Sequence, residues 1–373
     1  MQFIDLVTQQ QQIRAKIEEN IKKVLDHGQY IMGPEIKALE SSLCDYTGAE
    51  FCISCSSGTD ALLMALMAYD IGPGDAVLTT PFTFIATAEA ISLAGATPVF
   101  VDIDPDTYNI DPDQLEKTVL ALQNNEKLIP KGIIAVDLFG LCADYDKICR
   151  IAEKYGLFVI EDAAQSFGAD YHGKKACNLA DIACTSFFPA KPLGGYGDGG
   201  AVFTSDEKLA DKLVSVRVHG MGTDKYENVR IGINGRLDSL QAAILLAKMD
   251  IFPDEIKMRQ KIADRYLEKL GSQTSLVMPD IPKGFASAWA QYSILAEDET
   301  HRESIQKKLS AEKIPTAIYY PIPLHLQTAF KFLNYKNGDF PVSEDCAKRI
   351  FSIPMHPYLK SADQDRIIAA VLK

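Results

Sequence analysis

From residue 51 to residue 204, short apolar runs alternate with helix-length stretches, and that rhythm leaves little choice of fold. The strand-like runs are Phe51–Cys55, Ala76–Thr79, Thr97–Val101, Gly132–Val136, Leu157–Glu161 and Ile182–Thr185. Between several of them lie Thr59–Ala68, Phe84–Ala94, Asp113–Leu122 and Tyr145–Tyr155, which read as helices. A helix between successive strands is a crossover connection, and crossovers join parallel neighbours. The pattern predicts an α/β layer around a largely parallel sheet. Ala201–Thr204, after a glycine run, reads as one further strand. Upstream, Ile13, Ile17, Ile21 and Val24 recur at helical spacing, Gly28 and Gly33-Pro34 end that helix, and Ile36, Leu39 and Leu43 mark a second.

Downstream the pattern changes. Arg236–Met249 reads as a helix with Leu240, Ala243, Ile244 and Ala247 on one face. Ile251-Phe-Pro253 interrupts it, and Asp254–Leu270 resumes as a charged amphipathic helix. Beyond that point come strand–helix–strand pieces rich in proline. The expected division is a large domain over residues 1–250 and a smaller one over 251–373, within a chain of 373 residues that can build two cores.

A net charge of −12 disfavours bulk attraction to nucleic acid or anionic lipid, so any bound phosphate must be held by local donors. The eight cysteines include one C-x-x-C, Cys52 and Cys55, but no second pair completes a zinc site. Phe51-Cys-Ile-Ser-Cys55 reads as a buried strand with buried thiols, a usage suited to a reducing cytoplasm. Met1-Gln-Phe-Ile-Asp-Leu-Val-Thr has neither the basic start nor the apolar run of a secretory signal. No apolar stretch approaches a membrane span. A cytoplasmic location, with no metal, membrane or nucleic-acid partner, is the expectation.

The chemistry centres on Lys191, in Ser186-Phe-Phe-Pro-Ala-Lys191-Pro-Leu-Gly-Gly-Tyr-Gly-Asp-Gly-Gly200, downstream of Val159-Ile-Glu-Asp162-Ala-Ala-Gln165. A lysine amine forms a Schiff base with a carbonyl cofactor, and pyridoxal phosphate (PLP) needs such a lysine together with an acid for its ring nitrogen. Asp162 ends a strand, where open α/β sheets present ligand-contacting residues. Alone it reads rather as a helix N-cap or a surface acid, and Gln165 as a solvated side chain; with Lys191 downstream the functional reading overtakes these. Gln165 can donate to the cofactor's phenolic oxygen.

Ser56-Ser-Gly58-Thr59-Asp60 follows a strand and opens a helix, a natural phosphate seat that also reads as a simple capped helix. Phe84 can stack on a pyridine face or serve as core. Gly195-Tyr-Gly197-Asp-Gly-Gly200 spells the dinucleotide pattern G-x-G-x-x-G, but a lysine–proline loop precedes it and a strand follows. It reads instead as a flexible turn behind Lys191.

These motifs, with Gly232-Ile-Asn234-Gly-Arg236-Leu-Asp-Ser-Leu-Gln-Ala-Ala243 and Tyr320-Pro-Ile-Pro-Leu-His325, resemble the DegT/DnrJ/EryC1/StrS nucleotide-sugar aminotransferases over essentially the whole chain. The resemblance implies a fold type I, aspartate-aminotransferase-like homodimer with a large α/β/α sandwich domain and a smaller C-terminal α+β domain. It also implies that Lys191 binds PLP and shuttles protons, that Asp162 pairs with the ring nitrogen and Gln165 with the ring oxygen, and that Phe84 stacks on the ring. Gly58, Thr59 and Ser186 would bind the phosphate, with Asn234 reaching it from the partner subunit. Arg236, Tyr320 and His325 align with segments on the sugar side; Arg236 reads as well as a helix-start ion pair with Asp238. Ser57 stands where many relatives carry Asn, a small departure in the phosphate loop. Relatives that dehydrate sugars carry His at the position of Lys191, so lysine favours amino transfer.

Within the family, His27-Gly-Gln-Tyr-Ile-Met-Gly-Pro34, Cys177-Asn-Leu-Ala-Asp-Ile-Ala-Cys184 and Pro354-Met-His-Pro-Tyr-Leu359 look most like enzymes aminating C3 of a UDP-linked 2-acetamido-3-keto-glucuronic acid. L-Glutamate is the implied amino donor, and 2,3-diamino-uronic acids of bacterial surface polysaccharide the implied products. The alternatives are a C3 or C4 aminotransferase on a dTDP-, UDP- or GDP-linked keto-6-deoxy sugar, a dehydratase, and a non-catalytic PLP or sugar sensor.

Overall fold

The computed structural model describes residues 1–123, 127–224, 226–271 and 275–373. Helices α1 (Leu6–His27) and α2 (Pro34–Thr47) lead into β1 (Phe51–Cys55), α3 (Gly58–Ala68), β2 (Asp75–Thr79), α4 (Ala86–Leu93), β3 (Thr97–Phe100), α5 (Pro112–Gln123) and β4 (Ile129–Val136). Then come α6 (Tyr145–Tyr155), β5 (Phe158–Asp162), the short β6 (Asp170–Tyr171) and β7 (Lys174–Lys175), β8 (Ile182–Ser186), β9 (Gly200–Thr204) and α7 (Glu207–Arg217). The strand-like runs read from the sequence are therefore strands, with ends shifted by a residue or a few.

The main sheet has seven strands in the order β1-β9-β8-β5-β4-β2-β3. β8, β5, β4, β2 and β3 pair in parallel, whereas β9 runs antiparallel to both β8 and β1. Side chains alternate between faces. Val77, Ile134 and Ile160 meet α3, α4 and α7 on one side. Ala76, Leu78, Ile133 and Val159 meet α5 and α6 on the other. This is the α/β/α sandwich. Cys52 and Cys55 follow the same alternation, Cys52 joining the cluster beside α2 and Cys55 the one beside α3.

Helix α7 went unread in the sequence, although Asp206 caps it through Lys208 and Leu209 and Leu213 and Val216 lie on its buried side. Helix α8 (Ser239–Met249) starts three residues later than expected, because the Asp238 carboxylate accepts the Gln241 amide and fixes the helix start there. In α9 (Phe252–Leu270) Pro253 sits in the first turn, where its missing N–H costs nothing. That helix links two cores. Phe252 belongs to the core beside the main sheet, while Tyr266 and Leu270 belong to another around β11 (Tyr292–Leu295) and β12 (Ile350–Ile353). β10 (Phe285–Ala286) pairs with β6, α10 (Glu299–Ala311) and α11 (Pro341–Arg349) lie between β11 and β12, and α12 (Ser361–Leu372) closes the chain. Among the described residues no helix is long and apolar enough to cross a membrane.

Behind the carboxyl ends of β4 and β5, Asp137 and Glu161 are fully buried and share a hydrogen bond. Ser166 and Tyr145 donate to Asp137 at 2.7 and 2.9 Å, and the Cys177 and Leu179 amides to Glu161 at 2.6 and 3.1 Å. Burial holds both above the ordinary carboxyl range, and Asp137's charge pushes Glu161 further. In the unfolded chain both ionise at their ordinary values. The pair's contribution to stability is therefore complete at low pH and is lost as pH rises through the raised folded values. Urea midpoints are expected to fall between about pH 5 and 8, and Glu161→Gln to flatten that fall. An equal fall in both forms contradicts this account.

Candidate active site

Three backbone ends converge above the sheet: the carboxyl ends of β5 and β8 and the start of α3. They wall a cavity of about 450 Å³, ample for a cofactor and part of a substrate. Gly58, Thr59, Phe84, Asp162, Gln165, Ser186, Lys191 and Tyr320 all line it.

Asp162 ends β5 and is 5% exposed. Its Oδ2 accepts the Thr87 hydroxyl at 2.8 Å and its Oδ1 the Ala164 amide at 3.3 Å, so the carboxylate is aimed before any ligand arrives. Burial raises its pKa, against the Thr87 hydrogen bond and the charge of Lys191. Lys191 is half-buried on the same cavity, and burial lowers its amine below the ordinary value against the charge of Asp162. The Phe139 amide donates to Gln165 Oε1 at 2.8 Å, which turns Gln165 Nε2 toward the Tyr320 hydroxyl, 3.4 Å away.

At the start of α3, a Cβ on Gly58 would lie 2.7 Å from Ser186 Cβ, so only glycine lets the helix start approach the end of β8 this closely. The first amides of a helix have no acceptor within it, and here they open beside the Ser186 hydroxyl. Ser57 caps the helix by accepting the Asp60 amide at 3.0 Å. Phe84 is 53% exposed and lines the cavity, its ring centroid 6.2 Å from that of Tyr320.

Three expected residues lie off this wall. Asn234 and Arg236 precede α8, with the Arg236 guanidinium donating to Asn234 Oδ1 at 2.6 Å. Arg236 does not pair with Asp238, which is occupied as the α8 cap. His325, expected on the sugar side, has a fully buried side chain with Nε2 3.0 Å from Glu344 Oε1 and its ring against Phe340. Glu344 also accepts the Gly338 amide, so His325 anchors a turn of this protomer rather than facing the cavity. The glycine run is not a flexible turn. A Cβ on Gly194 would lie 2.5 Å from the Pro189 carbonyl, and one on Gly200 2.5 Å from the Ser57 carbonyl; these glycines permit close packing.

The cavity also uses residues the sequence did not single out: Thr87, Gln291, Tyr319, Phe188 and Asp198. Thr87 follows Phe84 by about one helical turn, a spacing that could have found it. The others are brought in by the fold.

The model of the DegT/DnrJ/EryC1/StrS aminotransferase family matches residues 11–372. The chain belongs to this family. UDP-2-acetamido-2-deoxy-3-oxo-D-glucuronate aminotransferase of Pseudomonas aeruginosa is 50% identical over 371 residues, spanning 100% of this chain and 99% of that protein. The solved structure of a DegT/DnrJ/EryC1/StrS aminotransferase from Brucella abortus superposes with a TM-score of 0.96 at 52% identity, covering 100% of this chain and 98% of that one. A Bacillus subtilis structure with bound cofactor PMP gives 0.89 at 30% identity, over 99% of this chain and 82% of that one.

The family member described here is a fold type I, PLP-dependent nucleotide-sugar aminotransferase. Its residues fit the cofactor. The Gly58–Ser186 cradle suits a phosphate, the exposed ring of Phe84 suits a flat ring, and the buried carboxylate of Asp162 suits a protonated pyridine nitrogen.

Proposed function

We propose that the enzyme moves an amino group from L-glutamate to C3 of UDP-2-acetamido-2-deoxy-3-keto-D-glucuronic acid, in the cytoplasm, toward 2,3-diamino-uronic acids of a bacterial surface polysaccharide. The observation that carries this reading is the 50% identity to the Pseudomonas aeruginosa enzyme across the full length of both chains. The cavity supports the chemistry. Bound PLP supplies the electron sink that lets the donor's Cα–H bond break. Lys191, its amine held below the ordinary pKa by burial, would carry the proton between the donor's Cα and the cofactor's C4′. Asp162 would hold a proton on the ring nitrogen, and its burial would strengthen that pairing. Gln165 Nε2 would donate to the ring oxygen, and Gly58, Thr59 and Ser186 would hold the phosphate. Tyr320 closes the substrate side.

The reading includes a homodimer, with Asn234 reaching the phosphate of the partner's site and Arg236 lying near its sugar. In support, Ile231 beside Asn234 is 85% exposed, and Tyr30, Ile31, Met32 and Val229 are exposed as well. Exposed apolar side chains gathered in one region are characteristic of protein–protein contact surfaces. Residues 1–250 form the PLP-binding domain and 251–373 the smaller domain in this scheme.

The test is the visible spectrum of the PLP-loaded protein. L-Glutamate is expected to bleach the yellow band, and among 3-keto and 4-keto sugar nucleotides only the 3-keto UDP-uronic acid is expected to restore it. Restoration by a 4-keto-6-deoxy sugar instead would replace the substrate assignment. A band that ignores every amino donor would replace the reaction itself.

A further inference from the structure

Helix α8 buries a lysine that the reaction does not use. Lys248 is 1% exposed, and its Nζ donates to the Gly194 carbonyl at 2.5 Å. The same ammonium lies 4.3 Å from the centroid of the Tyr196 ring. Two helical turns earlier, Gln241 Oε1 accepts the Tyr196 amide at 2.7 Å. Both side chains of α8 therefore grip the segment that follows Lys191. That segment is itself tied back: Gly195 N–H donates to the Phe187 carbonyl at 2.7 Å and Lys191 N–H to the Phe188 carbonyl at 2.9 Å. Glycine is needed where the grip is tightest, since a Cβ on Gly195 would lie 2.8 Å from Gln241 Oε1.

Packing does not explain an ammonium here. A buried cation is costly unless fully partnered, and here its partners are the Gly194 carbonyl and the Tyr196 ring. Methionine would fill the same space. Burial lowers the Lys248 pKa to about 8, against the pull of Glu255, so the site carries a charge at neutral pH despite the cost.

We infer that Lys248 is a positioning residue for Lys191: its ammonium fastens the Gly194 carbonyl and the Tyr196 ring, and so fixes the loop from which the Lys191 amine reaches the cofactor. The inference rests on Lys191 being the cofactor-bearing lysine. Unsubstituted enzyme measured in parallel separates the two claims, because a missing yellow band there would remove the assignment of Lys191 before Lys248 is considered.

The test is Lys248→Met, read by cofactor spectrum, melting temperature and kinetics. The variant is expected to melt somewhat below the wild-type temperature, since the buried Gly194 carbonyl loses its donor. The pH midpoint of its PLP band is expected to move by about half a unit or more, since the loop that sets the surroundings of the Lys191 amine is freer. The kcat is expected to fall ~10-fold or more, with KM for donor and acceptor held within about twofold, because misplacement acts on the reacting geometry rather than on binding. Tyr196→Leu keeps the Gly194 bond and removes only the ring, so a smaller shift and a smaller loss of kcat are expected. If Lys248→Met fails to fold, Tyr196→Leu decides alone. A lowered melting temperature with unchanged band midpoint and kcat, in whichever variant folds, would reduce Lys248 to a structural residue and overturn the inference.

Discussion

Lys191→Ala is expected to fold normally and to lose ~10⁴-fold or more of its transamination rate. Among the described residues the only hydrogen bond of Lys191 runs from its backbone amide to Phe188, and alanine keeps that bond. The amine is also held below its ordinary pKa by burial, so removing it relieves a desolvation cost. A melting temperature at or above that of the wild type should therefore accompany the loss of activity. The yellow band should vanish as well, since no other amine on the described cavity wall can take its place. Retention of full turnover would end the assignment. If Asn234 acts across a dimer interface, mixing Lys191→Ala subunits with Asn234→Ala subunits should restore activity above that of either parent, because each mixed pair assembles one complete site. Mixing without gain would place Asn234 outside the catalytic unit.

The second large effect is expected at Asp162. Asp162→Asn keeps the size of the side chain and an acceptor for Thr87, which sits 2.8 Å from Oδ2, but removes the charge that balances a protonated ring nitrogen. An unprotonated ring is a poorer electron sink, so kcat is expected to fall ~10²–10³-fold, the scale seen when one preorganised electrostatic partner is lost. Cofactor retention should weaken with it, measured as faster loss of the yellow band on dialysis. The protein should also become more stable without cofactor above the carboxyl titration range, because burial works against the wild-type charge. Unchanged kinetics with intact binding would leave Asp162 a mere cap for the turn at Ala164.

Residues whose role is fixed by near neighbours were legible in the sequence. Phe51–Cys55 reads as a strand and is one, because alternation and the following Ser-Ser-Gly define it locally. Lys191, Asp162, Gln165, Gly58 and Ser186 stand at strand ends or helix starts, and such ends converge in any parallel sheet; all five line one cavity. His325 was misplaced because its environment comes from Glu344 and Phe340, neither adjacent in the chain. Lys248 carries no mark in the sequence; only the fold shows that Gly194 and Tyr196 lie over it. The glycine run misled for a related reason. Glycine signals freedom when read alone, yet here it permits the backbone of one segment to press on another.

The antiparallel strand β9 has a consequence for the lysine. Ser186 faces Gly200 across the β8–β9 pair, so the segment bearing Lys191 is an arch whose two feet stand on one rung of the sheet. Parallel neighbours cannot do this, since their connection must travel over a helix before returning. The height of the amine above the sheet is therefore set by the length of this arch together with the grip of α8 on it. Adding or removing a residue between the feet would retune or silence the chemistry while every layer beneath stayed as it is.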